Sequence, residues 1–345
     1  MVKTYYRPTA LVHGPDARRL VEEERARPLP GCPAIAYCQV EVIERRGGTI
    51  TRRFVAAGEA PTHKPRVSAF DNGGKAPAIM GIVNVTPDSF SDGGLSRATP
   101  DAIAHGLRLA REGAHIVDVG GESTRPGSEG VSEEEELDRV IPVIEGLARE
   151  GVRVSCDTRK AVVMVKALKA GASIINDVSA LGHDPKGLET LASFSCPVVL
   201  MHAQGDPRTM QLNPTYEDVT LDVYDYLEAR IAVCEKAGIA PARLAVDPGI
   251  GFGKTYAHNL EVLQRITLFH SLGVPVLVGL SRKSMIGALT GEKVAARRVH
   301  GSVGGALWCA LNGVHMLRVH DVKETVEALA VARAAADPEA SALFS

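Results

Sequence analysis

Met80-Gly81-Ile82-Val83-Asn84-Val85-Thr86-Pro87-Asp88-Ser89-Phe90-Ser91-Asp92-Gly93-Gly94 reads as one strand and the loop that leaves it. The first half is a compact Ile/Val-rich run, as expected of a strand buried on both faces. The second half holds Pro, Asp, Ser and paired Gly, the chemistry of turns. Asn84 stands at the junction, a neutral oxygen donor at the end of an apolar strand. Rigid backbone there fixes a side chain, and a loop beyond it can close over a ligand. Taken alone, the stretch is equally a capped strand followed by a surface loop.

The same pattern recurs along the chain. With 78–84, strand-like runs at 115–120, 152–157, 173–177, 197–202, 243–247, 275–280 and 314–319 make eight. Helical patterns separate them. Thr99 and Pro100 read as the N-cap and first residue of one helix, and Ser132-Glu133-Glu134-Glu135 as a capping box opening the next. Further helices are expected at about 159–170, 186–194, 217–238, 257–270, 295–312 and 321–335. Eight strand–helix units predict an α/β fold, a TIM (β/α)8 barrel over 76–335. The rival is a doubly wound open sheet; no Rossmann glycine fingerprint follows the first strand, which favours the barrel. Residues 1–75 fall outside the repeat and read as a small α+β appendage. It holds a charged helix near 15–26, a β-hairpin over 36–55 turning at Arg45-Arg46-Gly47-Gly48, and a linker at 72–75. It carries no cluster of catalytic residue types, so a structural or oligomeric role is expected. Residues 336–345 form a tail.

The chain has 345 residues, 45% hydrophobic and 23% charged, the balance of an ordinary globular protein. A formal net charge of -2 and only 4% aromatics argue against nucleic acid as a partner. No apolar run approaches the roughly 20 residues of a membrane helix, so no membrane association is expected. Met1 to Arg7 lack the apolar core of a signal peptide, which leads to an expectation of the cytoplasm. The six cysteines form no C-x-x-C pair and read as small buried hydrophobes.

Chemistry in a TIM barrel sits where strands end. Here those ends carry Asn84, Asp118, Asp157, Asn176-Asp177, Met201-His202, Asp247, Ser281-Arg282-Lys283-Ser284 and Arg318-Val319-His320-Asp321. One strand-end Asp most simply caps the next helix. Eight polar ends converging on one mouth would be costly to bury without a ligand. Asp157, Asn176, Asp247 and Lys283 suit the hydrogen-bonding edge of a flat heterocycle. Thr124, Arg125, Arg318 and His320 suit an anion, and Arg forks match phosphate. Asn84 offers the hard oxygen that Mg²⁺ accepts beside substrate phosphates. Two decoys fall away. Gly249-Ile250-Gly251-Phe252-Gly253-Lys254-Thr255 is no P-loop, because the required first Gly is Pro248. Ser281 and Ser284 lack a G-x-S-x-G elbow, and Ser284 suits hydrogen bonding near a helix N-terminus. Trp308 and the Met residues away from strand ends are read as core.

In this order, the motifs resemble those of the dihydropteroate synthase family of folate biosynthesis. They are Asn84 to Gly93, Gly121-Glu122-Ser123-Thr124-Arg125-Pro126-Gly127, Asp157-Thr158, Ile175-Asn176-Asp177, Met201-His202, Asp247 to Lys254, Ser281 to Ser284 and Arg318 to Asp321. The resemblance spans about 76–335 and omits the appendage. It implies 6-hydroxymethyl-7,8-dihydropterin pyrophosphate and para-aminobenzoate as substrates. Asp157, Asn176, Asp247 and Lys283 would then bind the pterin, and Met201 would be a further substrate-binding residue. Asn84 would hold Mg²⁺, while Thr124, Arg125, Arg318 and His320 contact pyrophosphate. Phe90, Pro126, Phe252 and Ser284 would surround para-aminobenzoate, and Asp92 and Lys283 would join Arg125, Arg318 and His320 in catalysis. By analogy with the family, a homodimer is expected. A pterin-binding methyltransferase would need no pyrophosphate site, and a non-catalytic paralogue would be expected to lose loop residues first.

Overall fold

The computed structural model describes residues 2–61, 70, 77–85, 95–123, 130–205 and 209–338. The N-terminal segment forms β1 (Val2–His13), α1 (Gly14–Glu22), β2 (Arg27–Leu29), β3 (Cys32–Arg46) and β4 (Thr49–Ala56). The long β3 is central: β1 pairs antiparallel along one edge, and β4 and β2 along the other. The hairpin expected from the sequence is there, turning at Gly47 with φ +54°, a region open to Gly. The sequence reading gave no strand over 2–13. Pro8 obscures the pattern, yet an edge strand tolerates Pro because no partner needs its N–H.

Then come β5 (Ala78–Asn84), α2 (Leu95–Arg111), β6 (Ile116–Gly120), α3 (Glu133–Arg149), β7 (Val154–Asp157), α4 (Ala161–Lys169), β8 (Ile174–Asp177) and α5 (Gly187–Ala192). The chain continues with β9 (Val198–Met201), α6 (Val219–Lys236), β10 (Leu244–Asp247), α7 (Tyr256–Gln264), β11 (Leu277–Val278), α8 (Ser284–Thr290), α9 (Val299–Leu311), β12 (Met316–Val319) and α10 (Val322–Ala336). The eight strands β5 to β12 are parallel, in the spatial order β10-β9-β8-β7-β6-β5-β12-β11. A parallel bridge between Val246 and Val276 brings the two ends together. This is the expected TIM barrel.

Local details differ from expectation. α2 begins at Leu95 and takes Pro100 inside, which costs that turn one N–H donor. Ser132 does cap α3, accepting from the Glu135 N–H at 3.1 Å. The Glu135 carboxylate turns instead to Arg139, so only half of the box forms. The expected 257–270 helix ends at Gln264 and continues as a 3₁₀ segment, Ile266–Leu272.

Strand alternation sorts the barrel residues into two environments. Ala78, Met80, Ile116, Ile174, Val199, Ala245, Leu277 and Met316 share one apolar cluster that plugs the interior. Alternating neighbours such as Ile79, Val117, Ile175, Val198, Val246 and Leu317 pack instead in the cluster shared with the helices. Tyr5 and Ile43 of the appendage join that second cluster, while Leu29, Tyr37, Val40 and Val42 belong to a separate small core of the appendage.

Candidate active site

Two residues beyond the plug, on the same strand faces, the interior turns polar. Ile116 leads to Asp118, Ile174 to Asn176, Val199 to Met201, Ala245 to Asp247 and Met316 to Arg318. In the registers of β6, β7 and β8, Asp157 lies between Gly120 and Asn176. Arg318 ties this layer together. Its Nε donates to Asp118 Oδ2 at 2.7 Å and its Nη2 to Asp157 Oδ2 at 2.8 Å. Asn176 Nδ2 donates to the same Asp118 oxygen at 3.1 Å. Two of the five guanidinium N–H groups are thus engaged among the described residues. Asp118 Oδ1 is buried with no partner among the described residues. Burial pushes the Asp157 carboxyl up to about 7, against the pull of Arg318, and the nearby Asp118 charge adds to the rise. Burial alone would lower Arg318, but the Asp118 and Asp157 carboxylates outweigh it and hold the guanidinium charged.

The loop after β10 forms one wall. Gly249, Gly251 and Gly253 all have positive φ, which explains the alternating glycines. A Cβ on Gly249 would lie 1.8 Å from the His202 carbonyl. Asp247 Oδ1 accepts from the Gly249 N–H at 2.7 Å, yet burial still raises its carboxyl above the ordinary range. Lys254 is almost fully buried. Its Nζ meets three acceptors, His202 Nδ1 at 2.9 Å, the Gly249 carbonyl at 3.0 Å and the Phe252 carbonyl at 3.2 Å. Three N–H donors for three acceptors suit the ammonium, although burial pulls Lys254 down to about 7.

The loop after β11 forms the facing wall. Arg282 has φ +60°, a strained setting for a side-chain-bearing residue. Its N–H donates to Ser302 Oγ at 2.9 Å, its carbonyl accepts from Arg298, and its side chain pairs with Asp321. This turn aims Lys283, whose Nζ donates to the Ile250 carbonyl and lies 4.5 Å from the Phe252 ring centre. Burial lowers Lys283 to about 8. Ser284 opens α8. His320 lies beside Ser281, with Nδ1 3.1 Å from its Oγ.

Asp157, Asn176, Met201, Asp247, Lys283 and Arg318 therefore gather around the interior polar layer, with Phe252 and His320 on the loops next to it. Asn84, half-buried, ends β5 in register with Gly120. Phe90, Asp92, Thr124, Arg125 and Pro126 lie outside the described residues. Not every strand end converges on the mouth. Asp177 is turned into its own loop, accepting from the Ser179 and Leu181 N–H groups. His202 packs edge-on to Tyr226 of α6 at 4.9 Å. Odd-numbered spacing from the inward residues puts both on the helix side. Asp118, counted from the sequence among the strand ends but given no role, holds both Arg318 and Asn176; its signal was the two-residue step from Ile116.

Just after β6, Glu122 anchors a buried ion network. Glu122 pairs with Arg159 and with Lys160, each at 2.5 Å, and Lys160 also holds Glu136. Among the described residues, no three His, Cys, Asp or Glu side chains cluster as a metal site.

Comparison with known proteins agrees with this geometry. The model of the family "Pterin binding enzyme" matches residues 80–320. The dihydropteroate synthase of Escherichia coli K12 is 52% identical over 259 residues, 75% of this chain and 91% of that one. That of Neisseria meningitidis serogroup C is 51% identical over 271 residues, covering 77% and 95%. The solved dihydropteroate synthase of Xanthomonas albilineans with 4-aminobenzoic acid superposes with a TM-score of 0.72 at 51% identity, covering 77% of this chain and 97% of that one. The same enzyme in complex with 7,8-dihydropteroate gives 0.69 at 49% identity, covering 75% and 94%. With its inward layer of carboxylates around one arginine, the chain belongs to the pterin binding enzymes, in the dihydropteroate synthase family.

Proposed function

We propose that the chain condenses 6-hydroxymethyl-7,8-dihydropterin pyrophosphate with para-aminobenzoate, giving 7,8-dihydropteroate and pyrophosphate. The observation that carries this is the Asp118–Arg318–Asp157 cluster, which sets a guanidinium held by two carboxylates beside a set that reads a heterocycle. Asp157 and Asp247 accept from ring N–H and amino groups, Asn176 reads the same edge, and Met201 offers an apolar surface. Lys283 exchanges the Ile250 carbonyl for a ring carbonyl. Phe252 and Ser284 face para-aminobenzoate, joined by Phe90 and Pro126 on the strength of the family resemblance. Arg318 and His320, with Thr124 and Arg125 by the same resemblance, meet the pyrophosphate, and Asp92 is carried as catalytic on that ground alone.

The reaction breaks the bond between the pterin methylene carbon and the leaving oxygen, which takes the electron pair. The electron-rich pterin spreads the positive charge, and Asp157 and Asp247 sit near that ring. Arg318 is already oriented for the charge developing on the leaving group, so little reorganisation is needed. The aniline nitrogen then forms the new C–N bond and sheds a proton. It is uncharged at neutral pH, so no strong general base is required. Mg²⁺ fits a mouth of this kind: it keeps waters and substrate phosphates and needs only one or two protein oxygens. Asn84 is the proposed ligand; its register partner is Gly120, two residues after Asp118, whose buried Oδ1 has no partner among the described residues. When bound, Mg²⁺ would neutralise charge on the leaving pyrophosphate.

A homodimer fits the helical surface. Tyr256 and Leu260 on α7, Leu289 on α8, Val294, and Trp308 and Leu311 on α9 are all exposed. Trp308, read as core from the sequence, is 48% exposed and donates its Nε1–H to the Leu263 carbonyl of α7 at 2.9 Å. Exposed apolar residues on these helices support an interface there. A cytoplasmic location fits the six free cysteines and charged substrates that do not cross membranes unaided. No helix among the described residues is long and apolar enough to span one.

Pyrophosphate release tests the proposal. It is expected only with both substrates present; release without para-aminobenzoate at the same rate, or none with both, would reject it.

A further inference from the structure

The appendage carries no residue of the site, yet its basic side chains end where the active-site wall is held. Five acids fall on one side of the start of α6: Glu217, Asp218, Asp222, Asp225 and Glu228. Each has a cation from the appendage. Lys3 meets Asp225 at 2.6 Å and Glu228 at 2.5 Å. Arg45 donates to Asp222 at 2.7 Å and to Glu217. Arg52 donates to Asp218 at 2.8 Å. Asp218 is buried, caps α6 by accepting from the Leu221 N–H at 3.0 Å, and also takes Arg265 at 2.9 Å. The residue just before this pair is Tyr216. Its hydroxyl donates to the Gly253 carbonyl at 2.6 Å, and Gln211 Nε2 donates to the Gly251 carbonyl. These two bonds hold the peptide carbonyls on either side of Phe252.

We propose that the appendage braces the arylamine side of the active site. Arg45 and Arg52 are positioning residues that fix Glu217 and Asp218, and through them the Tyr216 hydroxyl that sets the loop bearing Phe252. This rests on the dihydropteroate synthase reading for its kinetic arm only. The acids of α6 would otherwise repel one another at the helix start, and that segment would lose its fixed register against the loop. Small displacements of a substrate wall cost binding and orientation far more than they cost folding.

The test compares two full-length variants. Arg45→Met/Arg52→Met removes the brace. Arg18→Met removes an appendage–barrel ion pair of similar quality, to Asp337 at 2.5 Å, beyond the end of α10 rather than at α6. In the first variant, KM for para-aminobenzoate is expected to rise about fivefold or more, with kcat and the pterin substrate's KM within about twofold. Deuterium uptake of the peptide spanning 249–253 should rise with it. Arg18→Met should lower Tm and leave both readings at wild-type values. Unchanged KM and exchange in folded Arg45→Met/Arg52→Met would overturn the brace, as would equal changes in Arg18→Met. Tyr216→Phe, which leaves the appendage untouched, should raise the same KM; if the double variant fails to fold, an unchanged KM in Tyr216→Phe overturns the proposal. If the wild type releases no pyrophosphate, the functional reading fails, and exchange at 249–253 alone decides the brace.

Discussion

Replacing Asp118 by Asn keeps the shape of the side chain and removes its charge. Asp118 Oδ2 takes both Arg318 Nε and Asn176 Nδ2, so one oxygen orients the proposed leaving-group clamp and a proposed pterin reader together. A hydrogen bond to a charged partner contributes about 1.5–3 kcal/mol and a neutral one about 0.5–1.5. The amide oxygen of Asn can keep both contacts, so the expected loss is the difference, about 1–2 kcal/mol. That corresponds to about 5–30-fold in kcat/KM for the pterin substrate. A second signature follows from charge. Burial and then the Asp118 carboxylate hold Asp157 up near 7. Without that neighbouring charge, Asp157 ionises at lower pH, and the acid limb of the kcat/KM profile moves down. The assay is steady-state pyrophosphate release across pH, with Tm as a check on folding. A folded Asp118→Asn variant within twofold of wild type, with its acid limb unmoved, would refute the role of Asp118.

Other outcomes follow from the same geometry. Lys283 must be protonated to donate to the pterin, and burial sets it near 8, so pterin binding should weaken as pH rises through 8; Lys283→Arg, charged throughout, should flatten that limb if it stays active, and an unchanged limb would exclude Lys283. EDTA is expected to abolish turnover and Mg²⁺ to restore it, with Asn84→Ala raising the Mg²⁺ requirement; full activity in EDTA removes Asn84 from that role. Light scattering should find a dimer for the wild type and a monomer for Leu260→Glu/Trp308→Glu; a monomeric wild type would leave the apolar surface of α7 to α9 without that explanation.

Much of the barrel was legible because strands buried on both faces read as continuous apolar runs. The polar layer was legible as strand ends, but the contacts within it were not. Arg318 and Asp118 are two hundred positions apart, and no local pattern pairs them. The step from Ile116 to Asp118 pointed inward, yet a strand-end Asp looks like any cap until the opposite strands are in place. Asp177 shows the other side of this ambiguity, since it serves only its own loop, accepting from the Ser179 and Leu181 N–H groups. Strand β1 was hidden by Pro8, whose cost disappears at a sheet edge. Trp308 was misplaced because hydrophobicity alone does not separate a residue facing the core from one facing outward on the same helix. The appendage's contacts with α6 depend on tertiary placement, and nothing in the spacing of Lys3, Arg45 and Arg52 announces them.

At the centre of this account, Arg318 stabilises the departing pyrophosphate while the pterin carries the positive charge. Rapid-quench measurement of a single turnover in Arg318→Ala, with both substrates saturating, reads that step without product release. Loss of one preorganised donor is expected to slow it about 10²–10³-fold. A loss below tenfold in the folded variant would contradict the clamp.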